Sequence, residues 1–245
     1  MTLRGTLRTA ERLLRQLRHD RRTIALVLLV PSLLLTVVYY MYEQHPAVFD
    51  RIALIMLGVF PFIIMLLLTS VAMLRERTSG TLERLLTTPV RKLDLLFGYG
   101  LAFGLAATLQ AVVTTTYAYL VLGMDTAGPA WSVVLIAVCN AVLGMALGLL
   151  CSAFARTEFQ AVQFMPLVAS PQILLCGLFV PPEAMASWLE GLSTLFPLTW
   201  SVDALMQVGS SAEITAEVWR DIGIVLGVVA LALALGAATL RRRTA

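Results

Sequence analysis

Arg75-Glu76-Arg77-Thr78-Ser79-Gly80-Thr81-Leu82-Glu83-Arg84-Leu85-Leu86-Thr87-Thr88-Pro89-Val90-Arg91-Lys92 forms a polar island in a chain that is 59% hydrophobic. It is the only long internal segment dense in charges of both signs. The runs on either side, residues 52–74 and 93–122, are apolar over the roughly 20 residues that a membrane-spanning helix needs. Joining two helices requires no such charge pattern, so something on the aqueous side is expected to read the island.

Working outward, the mean hydropathy is +0.85 with 13% charged residues, far from the usage of water-soluble domains. Most of the chain must therefore be solvated by lipid or by itself. Apolar runs at 23–42, 52–74, 93–122, 131–154, 159–180 and 221–240 predict an all-α integral membrane fold with six transmembrane helices. Residues 23–240 then make one membrane domain, leaving no room for a separate soluble one.

The cations predict its orientation. Seven Arg precede the first run, five Lys or Arg sit in the island, Arg156 lies between the fourth and fifth runs, and Arg241, Arg242 and Arg243 follow the last. Only Arg51 and Arg220 fall on the other side, which carries acids such as Glu43, Asp50, Asp125, Glu183 and Glu217. The positive-inside rule places both termini, the island and the basic tail 241–245 in the cytoplasm. The net charge of +3 is thus a topological signal and needs no nucleic acid to explain it. Residues 181–208 contain apolar pieces, but Pro181, Pro182, Pro197, Glu183, Glu190 and Asp203 interrupt them, and a seventh span would move the arginine tail outside. Short helices on the outer face, lying in the interface or dipping in and back, are expected there, with Trp188 and Trp200 at headgroup depth.

Residues 1–22 do not read as a signal peptide, because the apolar run that follows is too long and no small-residue cleavage site closes it. Leu3, Leu7, Ala10, Leu14 and Leu17 make one helical stripe, and Arg4, Arg8, Arg12, Arg15 and Arg18 a second. An amphipathic helix lying in the plane of the inner surface is expected, its arginines reaching towards membrane lipids.

Much chemistry is missing. His19 and His45 both lie outside the apolar runs, and Cys139, Cys151 and Cys176 all lie within them. No catalytic residue, metal ligand or disulfide framework is expected. Charged groups are absent from the middle of every run, which disfavours an ion-coupled transporter. No G-x-x-x-x-G-K-[ST] occurs, so energy for work on a substrate must come from elsewhere. Gly100/Gly104, Gly144/Gly148 and Gly223/Gly227 each make a GxxxG spacing that allows close helix packing.

Within the island, Leu82, Leu85, Leu86 and Pro89/Val90 recur at one face of a short helix. Ser79 or Gly80 caps its start, Glu83 favours its positive end and Pro89 stops it. Such a helix suits two neighbours. Lipid heads explain the leucines and arginines, whereas Glu76 and Glu83 gain little from an anionic surface and favour a soluble protein partner.

The run 75–89 resembles the hallmark of ABC-2 family permeases, the membrane subunits of type-2 ABC exporters. Gly177-Leu178-Phe179-Val180-Pro181-Pro182-Glu183, Trp188-Leu189 and Phe196-Pro197-Leu198-Thr199-Trp200 are similar to the family's segment after the fifth span. The resemblance implies a permease dimer, formed with a second copy or a paralogue, and two separate ATPase subunits docked on the cytoplasmic face. ATP and Mg would be bound by those subunits, with no cofactor in this chain. The coupling helix would be residues 80–88 within 75–92, with Arg75, Glu76, Arg77, Gly80, Thr81, Leu82, Glu83, Arg84, Leu85, Leu86 and Pro89 as coupling residues. Substrates of the family are drugs, antibiotics, lipids or glycans, and they leave along the dimer interface, lined mainly by the second and fifth spans. That makes Phe60 and Phe62 of the second, and Gln160, Gln163, Pro166, Ser170, Pro171 and Gln172 of the fifth, candidate pathway residues. The prolines and amides of the fifth run also interrupt an apolar helix on their own account, as in bent helices that line cavities. Gln110 and Thr114–Thr116 are weaker candidates, because hydroxyls can bond to their own helix. A glycan or lipid-precursor exporter, a non-transporting sensory subunit and a membrane enzyme remain as other readings; the last lacks a convergent acid, base or nucleophile. Seventeen Arg against one Lys point to a high-GC bacterial genome, and hence to a bacterial inner membrane.

Overall fold

The computed structural model describes residues 3–78, 92–155 and 157–239, and all regular structure among them is helical. Helix α1 (Leu3–His19) runs almost directly into α2 (Arg21–Met41). Asp20 between them caps α2: its carboxylate accepts from the Thr23 hydroxyl at 2.6 Å and the Thr23 amide at 3.1 Å. Those bonds hold it below the usual carboxylate range.

Helix α3 (Pro46–Thr78) has 33 residues, about 50 Å at 1.5 Å per residue, against a hydrocarbon core of about 30 Å. It begins six residues before the expected start at 52 and passes four beyond 74, so Arg75 and Glu76 extend a spanning helix. Then come α4 (Lys92–Leu120), α5 (Ala130–Cys151), α6 (Glu158–Leu175), a 3-10 turn (Pro182–Ala184), α7 (Ser187–Ser193), α8 (Pro197–Ser210) and α9 (Ala216–Thr239). Of the helices described, α2, α3, α4, α5 and α9 are long and apolar enough to cross a membrane. Helix α6, which occupies the expected fifth run, is not among them. It ends at Leu175, five residues short of Val180, because Gly177 takes up a φ of +96° and turns the chain. Its 18 residues also carry three glutamines and two prolines.

The centre of the bundle is the seam between α3 and α5. A Cβ on Gly144 would strike the Phe62 carbonyl, and one on Gly148 the Leu66 carbonyl and the Thr69 hydroxyl. Only glycine allows the two backbones this close. Thr69 uses the closeness, its hydroxyl pointing to Met65 O at 2.6 Å on its own helix and to Met145 O at 3.3 Å across the seam. The other GxxxG pairs do no such work: a Cβ on Gly104, Gly223 or Gly227 meets nothing within 4 Å, and one on Gly100 only the Met145 tip at 4.0 Å.

Helix α8 enters the bundle, burying Leu198, Val202, Leu205 and Val208 against α3, α5 and α9. The short α7 stays outside with Trp188 exposed, while the Trp200 indole donates to Thr194 O at 2.9 Å. Helix α9 starts five residues before the expected 221, which moves Asp221 from a span end into its first turns. There its fully buried carboxylate accepts from Arg220 Nε at 2.9 Å and from Gln207 Nε2 of α8 at 3.3 Å. The Arg220 guanidinium also lies 5.4 Å from the centre of the Trp200 ring.

The seam generates a contrast between glycines. Gly148→Ala is expected to destabilise the purified protein in detergent by about 1–3 kcal/mol, because α3 and α5 must separate. Gly227→Ala, facing open space, leaves thermal unfolding unchanged or slightly raises its midpoint.

Candidate functional site

Polar groups converge at the end of α3 that leads into residues 79–91. Glu76 faces α1, and Arg12 Nη2 donates to both its carboxylate oxygens, at 2.8 and 3.0 Å. The pair is largely shielded, with 30% of the Arg12 and 11% of the Glu76 side chain exposed. Tyr99 of α4, itself buried, lies beside both groups. Burial works against the Arg12 charge, but the bonds and field of Glu76 prevail and hold the guanidinium above its ordinary value.

The adjacent residue faces the opposite way. Arg75 Nε and Nη2 meet Glu158 Oε1 and Oε2 at 2.8 and 3.1 Å, a two-pronged contact with the first residue of α6. Here 64% and 50% of the two side chains are exposed, so water and salt weaken the pair. Thr157 caps α6 just before it, accepting from the Gln160 amide at 3.2 Å.

Helix α1 is fixed by packing as well as by charge. Ala10 and Leu13 are buried with Tyr99, Ala102 and Phe103 of α4, and a Cβ on Gly98 would come within 2.6 Å of Thr9 Cβ. The apolar stripe expected on lipid is thus partly spent on protein, and Arg12 turns inward although its neighbours Arg8 and Arg15 border solvent. Helix α1 therefore bridges both helices that flank residues 79–91.

Of the expected coupling residues, Arg75 and Glu76 are placed by these pairs, and Arg77 lies in the last turn of α3. Gly80, Thr81, Leu82, Glu83, Arg84, Leu85, Leu86 and Pro89, with the helix expected over 80–88, fall outside the described residues. The candidate pathway residues divide. Phe62 is enclosed at the α3–α5 seam, Phe60 packs partly against the same core, and Gln172 is buried, donating from Nε2 to Val168 O of its own helix at 3.1 Å. Gln160, Gln163, Pro166 and Ser170 stand on the exposed face of α6, with Pro171 half-buried. Gln110, Thr114 and Thr115 are buried within α4, where the Thr114 hydroxyl bonds back to Gln110 O.

Sequence reasoning missed Arg12, Tyr99 and Glu158. The signal for Arg12 was its position beside Ala10 and Leu13, on the face that turns inward. Glu158 was legible as an acid in the first turn of a Thr-capped helix, but its partner was 83 residues away.

A cleft of about 1360 Å³ opens between α1, α2, the second half of α3 and the start of α6. Its walls are apolar, including Leu26, Val30, Ile64, Leu67 and Val71, and its polar end holds Asp20, Arg75, Glu76 and Glu158.

A bundle with five helices able to cross a bilayer defines a multi-pass membrane protein. The family model for ABC-2 type transporters matches residues 7–208, and the chain belongs to that family. It is 28% identical over 181 residues to the probable multidrug ABC transporter permease YbhR of Escherichia coli, covering 73% of this chain and 48% of that one. It is 23% identical over 168 residues to the linearmycin resistance permease protein LnrN of Bacillus subtilis, covering 69% and 43%. ABC transporter G family member 20 of Dictyostelium discoideum is 28% identical over 141 residues, 58% of this chain and 19% of that one. The chain spans about half the length, or less, of these curated relatives.

The two ion pairs are expected to differ sharply under mutation. Glu76→Ala strands the Arg12 charge in a shielded site and lowers stability by about 1–3 kcal/mol in thermal unfolding. Arg75→Ala removes an exposed contact, and its midpoint stays near wild type, most closely at salt of about 0.5 M and above, where the pair is screened.

Proposed function

We propose that this chain is the membrane-spanning permease subunit of an ATP-driven exporter, with ATP and Mg bound and hydrolysed on separate ABC ATPase subunits. It moves a hydrophobic or amphipathic substrate, a drug, antibiotic or lipid, out of the cytoplasm or the inner leaflet. Family membership and the names of relatives such as YbhR and LnrN support this reading. The observation that carries it is the fastening around residues 79–91. The end of α3 is tied to α1 and α6, and α1 is packed on the start of α4, so force applied to that segment reaches α1, α3, α4 and α6 at once.

In this reading residues 80–88 form the coupling helix against the ATPase, and the permease works as a dimer with a second copy or a paralogue. Helix α6 serves as a sixth span; its 18 residues reach about 27 Å, close to the thickness of the hydrocarbon core. Both termini then lie in the cytoplasm, with sixteen of the eighteen cations, and the protein resides in a bacterial cytoplasmic membrane. Residues 181–208 lie on the outer side, α8 entering the bundle from there.

Coupling is tested by co-purification with an ABC ATPase subunit co-expressed with this chain. Glu83→Arg is expected to abolish co-purification while helix content by circular dichroism is retained; undiminished co-purification sinks the docking assignment. Export is tested by substrate accumulation in cells expressing both subunits. No change across a panel of drugs, lipids and glycans would instead support a non-transporting sensory subunit.

A further inference from the structure

The cleft between α1, α2, α3 and α6 has a direction. Its wall follows α3 from Ile63 to Thr78, fifteen helical steps and so about 22 Å, or about one membrane leaflet with its headgroups. One end is lined by Ile63, Ile64 and Val30, the other by Asp20, Arg75 and Glu158. A trough of leaflet length, dry at one end and charged at the other, matches an amphiphile lying parallel to the lipid chains.

The charge at the polar end narrows the class. Among the described lining residues three carboxylates, Asp20, Glu76 and Glu158, face one guanidinium, Arg75. Glu76 is engaged by Arg12, which does not line the cleft. Arg18, Arg21 and Arg22, near the α1–α2 junction, are exposed and do not line it either. The Asp20 carboxylate accepts from Thr23, and Glu158, among the described residues, is held by Arg75 in an exposed pair that water already weakens. A protonated amine arriving at this end can take the place of the Arg75 guanidinium on Glu158 with Asp20 nearby, while an anionic head meets two carboxylates.

We propose that this cleft is a binding site for an amphiphile with a hydrocarbon body and a protonated amine, and that Arg75 is the internal competitor that closes it on Glu158. Helix α6 suits the release: among the described residues the Arg75–Glu158 contact is the ion pair that ties its first turn to α3, beside the apolar packing of Ala161 on Leu74, its prolines at 166 and 171 weaken its backbone ladder, and Phe159 and Val162 line the cleft. That the site feeds export rests on the function proposed above; the binding does not.

The experiment measures binding alone, on the full chain in uncharged maltoside micelles at pH 7. The probe is a fluorescent twelve-carbon primary amine, with the matching twelve-carbon sulfate as its counterpart. Saturable binding of the amine and none of the sulfate is expected. Glu158→Gln should weaken amine binding by about fivefold, and Asp20→Asn in the same direction by less. Arg75→Gln should tighten it by about threefold, because the competitor is gone. A pair that merely held α6 in place would weaken binding when broken from either side, so loss of affinity in Arg75→Gln overturns the proposal. Equal binding of the sulfate also overturns it, as does the absence of any saturable site, the result expected of a cleft filled by a second copy. Gel filtration and circular dichroism establish that each variant is folded. Because no ATPase is present, failure here leaves the export reading standing, and failure of the co-purification test leaves this site standing.

Discussion

Backbone contact at Gly144 and Gly148 governs how the rest of the molecule is arranged. In lipid no hydrophobic force drives one apolar helix against another, so association depends on close packing and on the few polar groups that can be satisfied across the gap. The glycines let α5 settle onto α3 at Phe62, Leu66 and Thr69, and both helices become central. Helices α4, α8 and α9 then cover that pair from other sides, and α2 is left at the periphery with few buried residues. The cleft follows from this looseness, since α2 touches α3 too sparsely to fill the space beside it.

The same seam anchors the longest described helix, α3. A helix of 33 residues, held at its middle by α5, is longer than a hydrocarbon core of about 30 Å requires. Two neighbouring residues near its C-terminal end, about 100° apart around the axis, reach different partners in different surroundings. Glu76 finds a shielded arginine and Arg75 an exposed glutamate. A shielded pair is costly to break because a charge is left without water, whereas an exposed pair exchanges readily with solvent. One side of this end is therefore held to α1 by a shielded pair, and the other to α6 by an exposed pair and the packing of Leu74 on Ala161.

Legibility differed from element to element. Helical class and the positions of α2, α3, α4, α5 and α9 were readable because a spanning helix needs a long uninterrupted apolar run, a property of composition over about 20 residues. Helix α6 was harder: prolines and glutamines lower its apolarity, and Gly177 ends it before the apolar run stops. The GxxxG spacing at 100/104 and 223/227 looked the same as at 144/148, yet only the last meets a neighbouring backbone. Spacing reports what a helix face permits and carries no information about which helix arrives. At the site, Glu76 stood out as an acid poorly suited to a lipid surface, and its partner proved to be an arginine of the same chain.

From the sequence alone came the class of protein, its all-helical multi-pass character, the polar island and its place between two apolar helices. These are local or compositional properties, decided by hydropathy over a helix length and by where charge is tolerated. Tertiary structure alone decided that Arg12 turns inward, that Arg75 and Glu76 serve opposite neighbours, that Asp221 is buried against α8, and that a leaflet-long cleft lies beside α3. Each of these joins residues on separate helices, and which faces meet depends on the packing of the whole bundle, a property that no single window of sequence contains.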